Sequence, residues 1–468
     1  MKKLFLFYVF FLCNVCDLYS FVIIEDTLIN VGGNPLKFRN GLTDPHIFIH
    51  DNKAYMFASH DFSPKNTDYV MKDWWVWTSD DLLKWKHLST IIPEQTFLKR
   101  PYNSCWATYG VNYMNKWYFY FSAGKYEIGV LVADSLGNWN DILGSPLIPK
   151  GLTSTEQRDP DILIDDDGSA YIIYGTYNYY IARLNSDMVS LAETPRCVSV
   201  INPVGPYGKG KMDDKPSLHK YKGRYYLSWS GFYAVSDNVY GPYEYRGCVF
   251  SEENMMSTFK KGNICWDRHG NFFKFHNQWY YTFNDQSAPE CSNYYRGICI
   301  SYVHYLDNGD IAPIYLDDIG VGRYDATKRI EAENYFSLLG GIKAQSKDGG
   351  FEIRGINEKT VLLYPNIYNL SSCKFVKFRA SNGNKERAII EIRRKTEAGE
   401  LLAECEILPT GSSHIYQTFS CEITDLRSTD DICLIFRGNG CDLLNLNWIE
   451  FDLSSTYKCN FLGADNKQ

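Results

Sequence analysis

One unit recurs five times along this chain. DPHIFIHDNKAYMFAS from Asp44, WATYGVNYMNKWYFYFSA from Trp106, DPDILIDDDGSAYIIYGT from Asp159, DKPSLHKYKGRYYLSWSG from Asp214 and DRHGNFFKFHNQWYYTFN from Asp267 share one pattern. Each has an apolar strand, a short polar turn containing Asn, Asp or Gly, and a second strand crowded with aromatic and β-branched residues, which is the signature of a β-hairpin. Successive units start 62, 53, 55 and 53 residues apart, room for a four-stranded sheet with its loops. Five such sheets predict a five-bladed β-propeller. Helical periodicity is nearly absent between residues 35 and 320, which excludes an α/β barrel; a long β-sandwich or two stacked barrels is the competing arrangement.

Beyond residue 320 the pattern changes. RIEAENY, residues 329–335, opens a segment that closes at NLNWIEFD and carries alternating strands such as VKFRAS, AIIEIRR and ICLIFRG. That length and alternation predict a β-sandwich of jelly-roll type, joined through the polar, glycine-containing link DIGVGRYDATK. The reading is therefore all-β, with a propeller over 35–320, a sandwich over 328–455 and a tail over 456–468. Two domains also suit 468 residues when a domain holds about 100–200. The N-terminal MKKLFLFYVFFLCNVCDLYSF has two lysines and then an apolar run too short to span a membrane comfortably, so residues 1–20 are expected to be a secretory signal and the mature chain secreted, with no membrane partner. Of 14 cysteines, two lie in that segment. In an oxidising compartment several of the others are able to pair: Cys291 and Cys299 bracket one loop, and Cys421, Cys433 and Cys441 cluster, with no C-x-x-C to suggest zinc.

Aromatic residues make up 16% of the chain while the net charge is −7. An acidic surface cannot neutralise phosphate, so a nucleic-acid partner is excluded. Flat amphipathic rings on an acidic protein point instead to neutral ligands such as carbohydrate, and a monomer is expected.

In a propeller the first strand of each blade lines the central channel. Residues at the strand starts then converge on one end of the axis. Asp44, Asp159 and Asp214 stand at equivalent places in their repeats and are expected to meet in one pocket. Mutual repulsion and partial burial would raise the pKa of at least one of them, as a catalytic acid requires.

TDPHIF, RDPDILIDDDGSAYIIYG and DDKPSLHKYKGRYYLSWS, with SDDLLKW and DRHGNFF, resemble glycoside hydrolase family 43 over residues 35–318. The segment from Arg329 to Asp452, with EAENY at its start and NLNWIEF at its end, resembles a family 6 carbohydrate-binding module. The first resemblance implies an inverting hydrolase acting on arabinofuranosyl, xylosyl or galactosyl units of plant-type polysaccharide, with two carboxyl groups ~6.5–9.5 Å apart so that water fits between them. It makes Asp44 the general base, Asp159 the carboxylate that orients the acid and tunes its pKa, and Asp214 the general acid where the family usually has glutamate. Aspartate is one methylene shorter, so backbone compensation, use of Asp213, or loss of cleavage are the alternatives, and the Lys215 cation works against an acid. Trp106 resembles an aromatic that floors the sugar subsite, His269 a histidine pointing into the channel toward an ion or water, and Arg296 a substrate-facing arginine near the acid. Asp165, Asp166 and Asp167 imitate a calcium loop but read as a turn. In the module the resemblance implies a structural calcium held by Glu331, Glu333 and Asp452. It also implies sugar binding by Tyr416 and Asn445, with Val361 where a second aromatic belongs. No cofactor is implied for the chemistry itself; the module or the propeller channel is where a structural calcium would sit.

The enzyme reading competes with a non-catalytic glycan-binding protein built on a hydrolase propeller. The two differ at the proton donor. A protein-interaction propeller is disfavoured, because carboxylates at a channel mouth would serve no purpose there.

Overall fold

The computed structural model describes residues 28–38, 41–251, 268–286 and 291–453. The expected signal at 1–20, the tail at 456–468 and Asp267, which opens the fifth repeat, lie outside the described residues. Within them the five repeats fold as five sheets whose blade strands pair antiparallel and follow chain order from the inside outward. Leu28–Asn30 and the parallel Val200–Ile201 are added at the outer edges of blades one and four. Blade one contains Leu42–His50, Lys53–Asp61, Met71–Ser79 and Lys84–Ile91. Blade two begins at Cys105–Tyr113, blade three at Asp161–Ile164, blade four at Ser217–Tyr221 and blade five at Gly270–Phe275.

The turns and the strands each have a local cause. Four blades join their first two strands through a pair of left-handed residues, Asp51–Asn52, Met114–Asn115, Lys222–Gly223 and His276–Asn277, whose backbone twist matches that of the flanking strands. The second strands are sandwiched between neighbouring blades and so read as continuous apolar runs rather than alternating ones. Trp117 to Ala123 and Ala170 to Thr176 are buried throughout.

The ring closes on itself. Each innermost strand touches those of the blades on either side, and Leu42–His50 meets Gly270–Phe275. Side chains latch that seam: Asn271 accepts from Ile47 N–H at 2.9 Å and donates to Ile47 C=O at 3.0 Å, and Thr43 donates to Asn284 at 3.0 Å.

After residue 320 two sheets pack into a sandwich. One runs Tyr324–Asp325, Val361–Tyr368, Thr429–Arg437, Ala388–Arg394, Leu401–Ile407; the other runs Ile342–Gln345, Phe351–Arg354, Asn445–Asp452, Phe375–Ser381, Gln417–Glu422. Short 3₁₀ turns at Pro93–Gln95 and Ala332–Asn334 are the helical elements among the described residues. The sandwich is tied to blade five. Phe336 is buried against Phe275 and His276, Gln278 donates to Glu333 C=O at 2.6 Å, and Lys343 Nζ donates to Val303 C=O at 3.0 Å and to His304 Nδ1 at 2.9 Å.

Candidate active site

Two Asp-Pro frames, in blades one and three, set the site. Asp44 (φ 49°) and Asp159 (φ 58°) are left-handed residues immediately before prolines, each two residues ahead of the regular strand pairing. A left-handed residue cannot continue the ladder, so its N–H needs another acceptor. The preceding blade supplies it from the end of its second strand: Asn284 Oδ1 accepts from Asp44 N–H at 2.7 Å, and Ser122 Oγ from Asp159 N–H at 2.9 Å. In blade four the same place, before Pro216 and two residues ahead of Ser217, belongs to Lys215 (φ 66°). The sequence reading of Asp214 as the equivalent of Asp44 and Asp159 is therefore one residue out. Asp214 corresponds to Arg158, and those two pair.

All four aspartates, Asp44, Asp159, Asp213 and Asp214, nevertheless line one cavity of ≈ 490 Å³, within the range that takes small ligands. Lys215 reaches across the funnel to place Nζ 3.5 Å from Asp44 Oδ1. Arg158 Nη1 lies 2.9 Å from Asp214 Oδ2 and 3.4 Å from Asp159 Oδ2, so one guanidinium nitrogen serves both carboxylates. Arg158 also sits over the ring of Trp106, 5.5 Å from its centroid. Trp106 lines the cavity, its Nε1 donating to Tyr69 C=O at 3.2 Å.

The electrostatics of the carboxyl groups diverge. Burial alone would push Asp44 up, but Arg296, Lys215 and His269 outweigh it and hold the carboxyl well below the usual range. Asp159 is pushed up to about 7 by burial, against Arg158 and with the help of Asp214. Burial and the Asp214 charge likewise raise Asp213 to about 7, although Ser230 donates to its Oδ2. One carboxylate is kept ionised while two neighbours retain protons near neutrality. That separation is what acid and base partners require.

Two other expected pocket residues face Asp44. Arg296 Nη1 lies 3.0 Å from Asp44 Oδ1, and its Nε and Nη2 each lie 3.0 Å from Asp61 oxygens, so the guanidinium braces Asp44 rather than standing near Asp214. Asp61 ends the second strand of blade one and is fully buried, which is why the guanidinium turns to it. His269 Nδ1 is 3.2 Å from Asp44 Oδ1, and the residue is not part of the cavity lining. Sequence reasoning missed Asp61, Asn284, Arg158 and the rim tyrosines Tyr69, Tyr177 and Tyr207. The first two stand at second-strand ends, in SHD and FND, a position the repeat alignment exposes once the ring is closed.

The sandwich disposes of its expected ligands differently. Tyr416 is buried, its hydroxyl donating to Glu352 Oε2, and Asn445 donates to Ser413 C=O at 3.1 Å, so neither is presented as an open sugar contact. Glu352 has no exposure of its own, and the buried carboxylate draws the tyrosine in. Val361 belongs to the other sheet from Asn445. Glu331 and Glu333 are neighbours; burial, with the Glu331 charge adding to it, raises Glu333 to about 8, and its buried Oε2 has no partner. That orphaned oxygen suits a cation, but Asp452 is bonded to Lys377 and pairs with Phe375, four positions along the strand from the Glu331 partner Trp448. No group of three or more His, Cys, Asp or Glu able to hold a metal occurs among the described residues. Cys421 has the buried Cys405 as its thiol neighbour, while Cys433 lies on the other sheet from Cys421. The Asp165–Asp167 segment is a turn, with Asp165 bonded by Lys220 and Tyr225.

Comparison with known proteins agrees with this geometry. Residues 34–311 match Glycosyl hydrolases family 43, and residues 331–453 match Carbohydrate binding module (family 6). An arabinoxylan arabinofuranohydrolase of Paenibacillus polymyxa is 25% identical over 89% of this chain and 74% of the relative. A xylosidase/arabinosidase of Bacteroides ovatus is 25% identical over 58% of this chain and 94% of its own. Among solved structures, the family 43 arabinoxylan arabinofuranohydrolase of Bacillus subtilis in complex with cellotetraose shares the fold with a TM-score of 0.54 and 21% identity, covering 90% of this chain and 99% of that one.

Proposed function

The chain belongs to glycosyl hydrolases family 43 and is a glycosidase with a carbohydrate-binding module; from that premise we propose that it removes arabinofuranosyl or xylosyl units from plant-type polysaccharide with inversion of configuration. One observation carries the reading: carboxyl groups from three separate blades meet in one cavity, in opposite electrostatic environments. Asp44, ionised, draws the proton from water as the water oxygen bonds to the anomeric carbon. The bond to the departing oxygen breaks as that oxygen takes the proton that Asp213 retains through burial and the adjacent Asp214 charge, with Asp214 paired to Arg158 and Asp159 holding a proton beside it. The sugar preference rests on the named activities of the relatives, and the apolar run within residues 1–20 supports export from the cell.

Release of reducing sugar from arabinoxylan, xylan and galactan, measured beside a panel of nitrophenyl arabinofuranosides, xylosides and galactosides, tests the reading. Asp44→Asn and Asp214→Asn should each lower kcat by about 10²–10⁴-fold with unchanged circular dichroism. The Arg158–Asp214 ion pair favours a second reading, a glycan-binding protein in which Asp214 is engaged by Arg158 and serves no proton transfer. Wild type that binds arabinoxylan but releases no sugar from any of these substrates would decide for it.

A further inference from the structure

We propose that Tyr177 and Tyr207 form an aromatic cradle for the sugar on the leaving-group side of the scissile bond, a subsite that rests on the glycosidase reading above. Tyr177 is the single residue between the paired Thr176 and Asn178, at the tip of the hairpin in blade three, and its φ is 61°. A bulky side chain in that region is strained. The tip closes this tightly because residue 175 is glycine (φ 129°): a Cβ there would stand 2.5 Å from Asn178 C=O. The strained turn does not bury the ring. Tyr177 is 52% exposed, and Tyr207, at the tip of the small hairpin Val204–Gly205 and Gly208–Lys209, is 46% exposed. Their rings meet edge to face at 6.0 Å and 71°, and both line the cavity. A fold that holds two large rings in water, one of them on a strained backbone, needs a reason other than packing.

Their place relative to the carboxyl groups supplies it. Tyr177 N–H donates to Asp213 C=O at 3.0 Å, and Tyr179 Oη donates to the same carbonyl at 2.8 Å. The rings therefore border the loop that carries Asp213 and Asp214. A proton donor works within hydrogen-bond reach of the oxygen it protonates, so the sugar bearing that oxygen lies over this loop and between these rings. Tyr69, in contrast, lies against Arg296 on the base side, 5.2 Å from ring centroid to guanidinium. Pyranose rings present C–H faces that stack on such surfaces. The occupant is a sugar of the polysaccharide backbone.

The test compares kcat/KM on a branched oligosaccharide with kcat/KM on the methyl glycoside of the sugar that the release assay identifies, since the methyl glycoside offers the same glycone with no leaving-group sugar. Tyr177→Gly retains the left-handed tip and removes the ring; Tyr207→Ala removes its partner; Tyr177→Phe keeps the stacking face. The oligosaccharide-to-methyl-glycoside ratio should fall at least about tenfold in Tyr177→Gly and in Tyr207→Ala and stay within about twofold in Tyr177→Phe. A ratio unchanged in Tyr177→Gly, or equal losses on both substrates, overturns the cradle while leaving the hydrolase reading intact. Wild type inactive on both overturns that reading and the cradle with it.

Discussion

Asp44 Oδ1 is surrounded by Asn284 Nδ2 at 2.8 Å, Arg296 Nη1 at 3.0 Å, His269 Nδ1 at 3.2 Å and Lys215 Nζ at 3.5 Å. So many neighbours on one oxygen keep Asp44 ionised into acid, and the proposed mechanism leaves Oδ2, 3.4 Å from Arg296 Nη2, to take a proton from water. The opposite limb belongs to the protons on Asp159 and Asp213, which leave near pH 7. Activity should therefore be highest on the acid side of pH 7 and decline as pH rises through it, read as a kcat/KM profile. Lys215 is the exchangeable part of this arrangement. Its left-handed φ suits glycine, and removing its charge lifts one of the influences that lower Asp44, so Lys215→Gly should move the acid limb of the same profile to higher pH. An acid limb that stays in place would mean that the ammonium does not act on the base.

At the scale of elements, the second strand of one blade holds the first strand of the next. Asn284 grips Asp44 at both its N–H and its carboxylate, so Asn284→Ala frees the base to shift. With about 1 Å of misplacement able to cost ~10²-fold in rate, kcat should fall by that order with little change in KM. Asp161 performs a related task inside the wall, accepting from Leu218 N–H at 3.3 Å to join blade three to blade four. Burial, opposed by Ser217 and Leu218, pushes Asp161 to about 7, above its unfolded value. A raised carboxyl binds more protons when folded, so its contribution is full below the unfolded pKa and is lost as pH rises through 7. Asp161→Asn, which mimics the protonated form, should raise Tm by more at pH 8 than at pH 5, and by nothing below pH 4.

At the scale of the molecule, the sandwich completes the propeller. Phe336 is buried in the apolar cluster shared by blades one and five. Around it, His304 accepts from Lys343 on Nδ1, and its Nε2 lies 3.0 Å from Asn334 Oδ1. Phe336→Ala should cost about 3–5 kcal/mol and separate a single unfolding transition into two, seen by calorimetry on the whole chain. A single transition of unchanged midpoint would show the joint to be incidental.

Spacing and alternation were enough to read the five blades, the sandwich and two of the funnel aspartates, because each hairpin is specified by residues adjacent in the chain: a two-residue turn and the strands it joins. The DP, DP and KP frames were also present in the sequence, yet they mark Lys215 rather than Asp214 as the third member of the ring, a distinction that only left-handed backbone angles reveal. Tertiary packing decided everything that depends on partners from distant segments: closing the ring sets Arg296 against Asp44 and lets Arg158 join two carboxyl groups, and packing within the sandwich turns Tyr416 inward to Glu352. Sequence patterns record what each strand buries. Which charge faces which, and therefore which carboxyl keeps its proton, is set by the curvature that brings the blades together.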